Sequence, residues 1–290
     1  MQHAQLRAFH AVAIDGSFTR AAARLRVTQP AVTMHVRALE AAYGVELFHR
    51  RGRRVEPSEL GRALVEVTRR LFVVEAEAEE LLVGARKLLR GELRVGADGP
   101  YHVLSLLSAF RKRHSKVAIK LSMGNAANVL SRLLAGETDV AIVAEVDPDP
   151  RLFAVPCARH RLVAFVARTH AWAKKKKPKV HLADFDGEPM ILREKGSITR
   201  RTFERAIVAA RVRPKVVMEI DSREAVREAV AEGLGVGVVM SAEFVRDARL
   251  IALPIADAVL ENTEYAVCLD DHRKLRVVRA FFDVVPALTR

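Results

Sequence analysis

The sequence is short of cysteine. Among 290 residues it has two, Cys157 and Cys268, far apart and outside any C-x-x-C spacing. That argues against a disulfide framework, and both are expected to be reduced, buried small hydrophobes of a cytoplasmic protein. Long apolar runs are missing as well. The opening MQHAQLRAFH has no signal-peptide core, and no stretch reaches the length of a bilayer span, so no membrane partner is expected. No G-x-S-x-G, P-loop or H-E-x-x-H occurs, and the ten histidines are scattered. Gly233, Gly235 and Gly237 follow a helical pattern and precede a strand-like one, the reverse of a dinucleotide fingerprint. Neither a cofactor, nor a metal site, nor an enzyme is expected, although an α/β enzyme stays as a rival reading. What is abundant is positive charge: 48 Lys and Arg against 35 Asp and Glu, a net +13, which points to a polyanionic partner.

The stretch Ser17–Glu40, SFTRAAARLRVTQPAVTMHVRALE, concentrates that signal. Ser17 can cap a helix carrying Phe18, Ala21, Ala22 and Leu25 on one face. After a break at Arg26-Val27, Thr28 offers a second cap and Pro30 falls in a first turn, where a missing N–H is harmless. Val32, Val36 and Leu39 form the buried stripe of this second helix. Gln29, Thr33 and Arg37 are left on the opposite face, with Pro30 and Met34 beside them. This is the pattern of a helix-turn-helix, and its polar set suits base edges in a major groove of double-stranded DNA. An ordinary surface helix is the plain alternative. Gln2–Ile14 supplies a preceding helix. Gly52 among arginines, Arg53 included, suits the tip of a wing that reaches phosphates, or else a solvated basic loop.

From Ser58 to about Leu89 the apolar residues Leu60, Leu64, Val67, Leu71, Val74, Ala78, Leu81, Ala85 and Leu88 keep a heptad rhythm, with Gly84 and Gly91 near its end. The spacing predicts a linker helix that pairs with a second copy, or packs on the chain's own downstream part. Beyond Glu92 strand-like runs (93–97, 117–121, 139–143, 161–167, 189–192, 215–220, 234–240 and 263–269) alternate with helical ones. Two α/β lobes with a cleft for a small ligand follow from that alternation. Lys174–Lys177 reads as a solvated loop, with a second nucleic-acid contact as the alternative.

These segments, above all LRAFHAVAIDGSFTRAAARLRVTQPAVTMHVRALEAAYGVELFHRRGRRVEPSELG, resemble the LysR-type transcriptional regulators over essentially the whole chain. The resemblance implies an N-terminal all-α winged helix-turn-helix with a long linker helix, followed by a C-terminal α/β two-lobe, periplasmic-binding-protein-like effector domain. The expected division is 1–57 for DNA binding, 58–90 for the linker and dimerisation helix, and 91–290 for the effector domain. Lobe one takes about 91–160 and 267–290, and lobe two about 161–266. The implied partners are promoter DNA, a small effector, further copies as a homodimer or homotetramer, and RNA polymerase. Family positions place DNA contacts at Thr28, Gln29, Pro30, Thr33, Met34, Arg37 and Arg53. They place the effector near Asp98, Gly99, Tyr101 and His102, at Asn125 and Glu145, and at Ser197, Thr199 and Arg200. Ser197 and Thr199 open a helix, so that its free N–H groups, both hydroxyls and Arg200 make an anion seat, although Ser197 can equally be only a cap.

The Asp98-Gly-Pro-Tyr-His run, with REKGSITRR and DSREAVREAV, also resembles a branch of these regulators associated with aminoethylphosphonate catabolism. On that resemblance Ser197, Thr199 and Arg200 hold the phosphonate while Asp98 or Glu145 takes the ammonium. The alternative for Asp98 is a cap on the helix starting near Tyr101. An effector-independent architectural DNA-binding protein remains the rival function.

Overall fold

The computed structural model describes residues 1–51, 54–83, 91–174 and 179–286, which form two compact units. The first unit holds α1 (His3–Asp15), α2 (Phe18–Leu25), α3 (Gln29–Tyr43), a hairpin of β1 (Phe48–Arg51) and β2 (Arg54–Pro57), and α4 (Glu59–Val83). Gly16 and Gly44 take left-handed backbone and stop α1 and α3, as residues without a Cβ readily do. Ser17 Oγ accepts the Arg20 N–H at 3.4 Å and starts α2. The turn into α3 passes through Arg26 at φ 57°, a left-handed non-glycine residue. Thr28 occupies the cap position of α3 with extended backbone, but its side chain makes no capping bond. Phe9, Val12, Ala21, Val32, Val36 and Leu39 are buried together at the centre of the three helices.

Ser58 fastens α4 to this head. Its hydroxyl accepts the Gly61 N–H at 3.0 Å and donates to the Glu46 carbonyl at 2.8 Å. A Cβ on Gly61 would collide with the Leu47 carbonyl oxygen, so the helix approaches the chain where only glycine fits. Val65 and half-buried Leu64 and Phe72 extend the head's core along α4. Leu60, Val67, Leu71 and Val74 stay 41–61% exposed on the same helix. The seam therefore divides: Leu64 turns to the head's own core, against the single outward seam expected. Gly84, Ala85, Leu88 and the side chain of Leu81 lie outside the described residues, as do Gly52, Arg53 and Lys175–Lys177.

The second unit begins with β3 (Gly91–Ala97), α5 (Pro100–Arg113), β4 (Val117–Met123), α6 (Ala126–Leu134) and β5 (Val140–Ala144). β3 pairs in parallel with both β4 and β5, the arrangement that helical crossovers demand. β6 (Leu152–Ala167) then runs through both lobes. β11 (Glu261–Leu269) lies antiparallel to β5 and to the first part of β6, while β9 (Gly237–Met240) and β10 (Leu250–Pro254) pair with the last part. β7 (Pro189–Arg193) and β8 (Lys215–Ile220) are parallel, and a bridge from Met190 to Val236 brings them beside β9. α7 (Ile198–Ala209) and α8 (Arg223–Ala231) cover this second lobe, whose centre is Phe185, Met190, Leu192, Phe203 and Leu253. In the first lobe Phe281 of α9 (Arg276–Phe282) meets Phe110 with ring centres 6.0 Å apart.

Two strands differ from the sequence expectation. β6 starts at Leu152 rather than 161, and Pro156 within the added stretch is accommodated at an irregularity in the ladder. Ala158 pairs with Glu264 and Pro156 with Tyr265, so Cys157 is the extra residue of a bulge. β10 was not foreseen. It lies at a sheet edge, where Pro254 at its end is tolerated.

Candidate functional site

The first surface is on α3. Val32, Val36 and Leu39 are at most 3% exposed, which fixes the helix rotation and turns Gln29, Met34 and Arg37 to solvent. Thr33, half-buried, joins them: its Oγ1 accepts from Gln29 Nε2 at 3.0 Å and donates to the Gln29 carbonyl at 3.1 Å. The Gln29 amide is thus held by a neighbour one turn on, with its oxygen left over for a base edge. Thr28 and Pro30 are exposed beside it. Six of the seven expected DNA-contacting residues lie together at this end and face of α3, and the seventh, Arg53, lies outside the described residues.

The second site is a small polar pocket within the α/β unit, at the end of β3 and the start of α7. Asp98, Asn125, Ser197 and Thr199 line it, as expected. Asp98 does not cap α5; the cap position belongs to Gly99, which makes no side-chain bond. Instead Asp98 Oδ2 accepts the Ala144 N–H at 2.9 Å and ties the end of β3 to the end of β5. Ser197 does cap α7, accepting the Arg200 N–H at 3.5 Å. With Ile198 and Thr199 it turns the first turn of that helix, whose N–H groups have no intrahelical acceptor, towards the pocket.

Five expected effector residues do not line this pocket. Arg200 binds Glu204 at 2.7 Å, Glu219 at 2.6 Å and the Arg193 carbonyl at 2.8 Å, so its charge is matched by two carboxylates. Glu145, left-handed at φ 54°, is clasped by Arg201 and Arg205 of α7 at 2.9 and 3.0 Å. Tyr101 faces a separate depression beside Phe165 and Arg227. His102 stacks on His160 with ring centres 4.4 Å apart, and burial lowers the pKa of both. Gly99 has a supporting role, since a Cβ there would come within 2.7 Å of Glu243 Oε1.

Besides Asp98, the charged residues lining the pocket are Arg193, which opens the segment carrying Ser197 and Thr199, and three not expected there: Arg223, Glu243 and Glu264. Arg193 pairs with Glu194 at 2.8 Å, and Arg223 with Glu243 at 3.2 Å while also donating to the Asp98 carbonyl. Burial, partly offset by the Ala144 N–H and by Arg223, pushes the Asp98 carboxyl up to about 6. Burial and then the charges of Asp98 and Glu243 push Glu264 up to about 8. The signal for Glu264 was present: an acidic residue in step with the inward-facing positions of the run TEYAVCL. Arg223 and Glu243 had none, since only the fold brings α8 and the turn after β9 to this end of β3.

A compact helix-turn-helix with a hairpin behind it, in one chain with a two-lobed α/β unit that carries a polar pocket, defines a DNA-binding regulator with a ligand-sensing domain. Residues 3–62 match the model for the bacterial regulatory helix-turn-helix protein, lysR family, and residues 86–289 match the LysR substrate binding domain. The chain belongs to the LysR family of transcriptional regulators. It is 32% identical over 236 residues to the HTH-type transcriptional activator CmpR of Synechocystis, covering 81% of this chain and 77% of that one. The RuBisCO operon transcriptional regulator of Allochromatium vinosum is 32% identical over 237 residues, 81% of this chain and 78% of its own. A full-length OxyR variant from Pseudomonas aeruginosa has the same fold, with a TM-score of 0.80 at 21% identity over 98% of this chain and 94% of that one. Families and relatives alike are regulators, and the chain is not an enzyme.

Proposed function

We propose that residues 1–57 read promoter DNA, 58–90 join two copies, and 91–290 sense a small acidic or zwitterionic effector that alters how the heads engage DNA and admit RNA polymerase. The observation that carries the reading is the split of α3 into a buried apolar side and an exposed Gln29, Thr33 and Arg37 side. The exposed row Leu60, Val67, Leu71 and Val74 supports pairing of linker helices, since apolar residues at heptad spacing are stabilised by a second such helix. Two such heads on one dimer fit two half-sites about one helical turn apart. A cytoplasmic setting follows from the DNA target; among the described residues no helix is long and apolar enough to cross a membrane.

For the effector, the first turn of α7, with Arg193 beside it, offers the anion seat that Arg200 was expected to complete. The finer expectation, 2-aminoethylphosphonate, is retained as the first compound to try. The names of the relatives point instead to genes of RuBisCO operons, and such promoters are the second DNA to test. Gel shifts on the DNA upstream of the protein's own gene, with and without 2-aminoethylphosphonate, examine both halves of the reading. Specific retardation that weakens steeply with salt is expected. Equal binding to random duplex would remove the regulator reading, whereas effector-insensitive specific binding would remove only this ligand.

A further inference from the structure

Glu264 is 7% exposed, lines the pocket, and has no hydrogen-bond or ion-pair partner among the described residues. A carboxyl in that position normally finds a donor, because leaving it without one destabilises the fold. The groups that face it are Asp98 at the end of β3, Glu243 in the turn after β9, and Arg223 of α8. Arg223 is already engaged with Glu243 and the Asp98 carbonyl. Three acids therefore converge around one committed cation. The neighbouring bulge at Cys157 aims this stretch of β11: Ala158 is the partner of Glu264, and the Cys157 thiol donates to the Glu264 carbonyl at 3.4 Å. Bulges of this kind commonly redirect a side chain beside a site.

We infer that Glu264, with Asp98 and Glu243, is a cation subsite for an amine on the effector, opposite the anion seat at the first turn of α7. The inference rests on the effector reading above and narrows it to zwitterions of amino-acid size. It moves the ammonium contact from Glu145, which Arg201 and Arg205 hold, to a residue absent from the expected set. A buried acid without a donor is most stable with its proton on. An incoming ammonium favours the carboxylate, so binding at neutral pH releases that proton to solvent. The arrangement also gives a destabilising group a use: the unpartnered acid is the binding determinant.

The test uses the full chain with three matched probes: 2-aminoethylphosphonate, ethylphosphonate and ethylamine. In thermal-shift and calorimetric titrations the zwitterion should bind at least tenfold more tightly than ethylphosphonate. Glu264→Gln should erase the difference. Calorimetry in buffers of differing ionisation enthalpy should show proton release with wild type and none with the variant. A second measurement needs no ligand. Without ligand, Glu264→Gln should melt higher than wild type at alkaline pH, with the gap closing as pH falls towards 4.5, the ordinary value for this carboxyl. Equal binding of ethylphosphonate, no response to either amine, or a variant that melts lower than wild type at alkaline pH would each overturn the subsite. Loss of specific DNA retardation, measured on the same preparation, would instead count against the regulator reading.

Discussion

His10 Nδ1 and Thr68 Oγ1 lie 2.8 Å apart, and this pair fastens α1 to α4. Burial, reinforced by Arg24 and Arg69, lowers the His10 pKa from 6.5 to about 4, so the folded head keeps the ring neutral. Between those values the unfolded chain binds more protons than the folded one. The contribution of His10 is complete above pH 6.5 and is lost as pH falls towards 4, by roughly 3 kcal/mol at most. Hydrogen exchange of the α1 amides should show that loss in acid, and His10→Asn should flatten the dependence. Parallel curves for the two proteins would remove His10 as the titrating group.

Gln29 and Arg37 differ in what they can contribute to DNA binding. Gln29, braced by Thr33, has the amide for a base edge, so Gln29→Ala should cost about 1–3 kcal/mol against the preferred site and little against random duplex. Arg37→Ala should weaken both, and should reduce the salt slope if its contact is with phosphate. Competition gel shifts at two salt concentrations separate these outcomes. A Gln29→Ala protein with unchanged sequence preference would place base reading elsewhere.

Leu71 and Val74 are 41% and 61% exposed on α4, whereas Val65 and Val73 are buried. Leu71→Glu with Val74→Glu should therefore leave the head folded and convert the sedimenting species to monomer, with DNA affinity reduced more than tenfold as the second half-site contact is lost. Val65→Glu should instead unfold the head. Undiminished oligomer size in the first variant would assign the exposed row to another role.

Gly196 packs closely on Asn125, which lines the pocket: a Cβ on the glycine would stand 2.5 Å from Asn125 Nδ2. Gly196→Val should hold the pocket walls apart and abolish the effector response, leaving DNA retardation intact. The Asn125→Gly change should restore the response in the double variant, because it vacates the space the new side chain needs. Failure of that rescue would mean the glycine is required for its backbone alone.

Much of the architecture was legible because periodicity and capping act locally. Ser17, Pro30 and Gly44 mark the ends of the head's helices, and Lys215–Ile220 is a strand with the bounds its apolar run predicts. The site was legible only in part. Asp98, Asn125, Ser197 and Thr199 sit on loops whose position follows from strand order, and they line the pocket as expected. Arg200 and Glu145 do not line that pocket, and salt bridges with residues on other elements hold them. Sequence spacing does not reveal which of several arginines wins a given carboxylate. The early start of β6 was not legible for a related reason: Pro156 is accommodated by a bulge against β11, a strand distant in sequence.

The sixteen residues of β6 carry one further implication. Because a single strand serves as a ladder rung for both halves of the sensor, no cut through the backbone yields two self-sufficient pieces. Exchange of ligand preference between relatives must proceed either by replacing the sensor whole or by altering side chains in place. A chimera joined within Leu152–Ala167 would inherit half of each register and should fail to assemble.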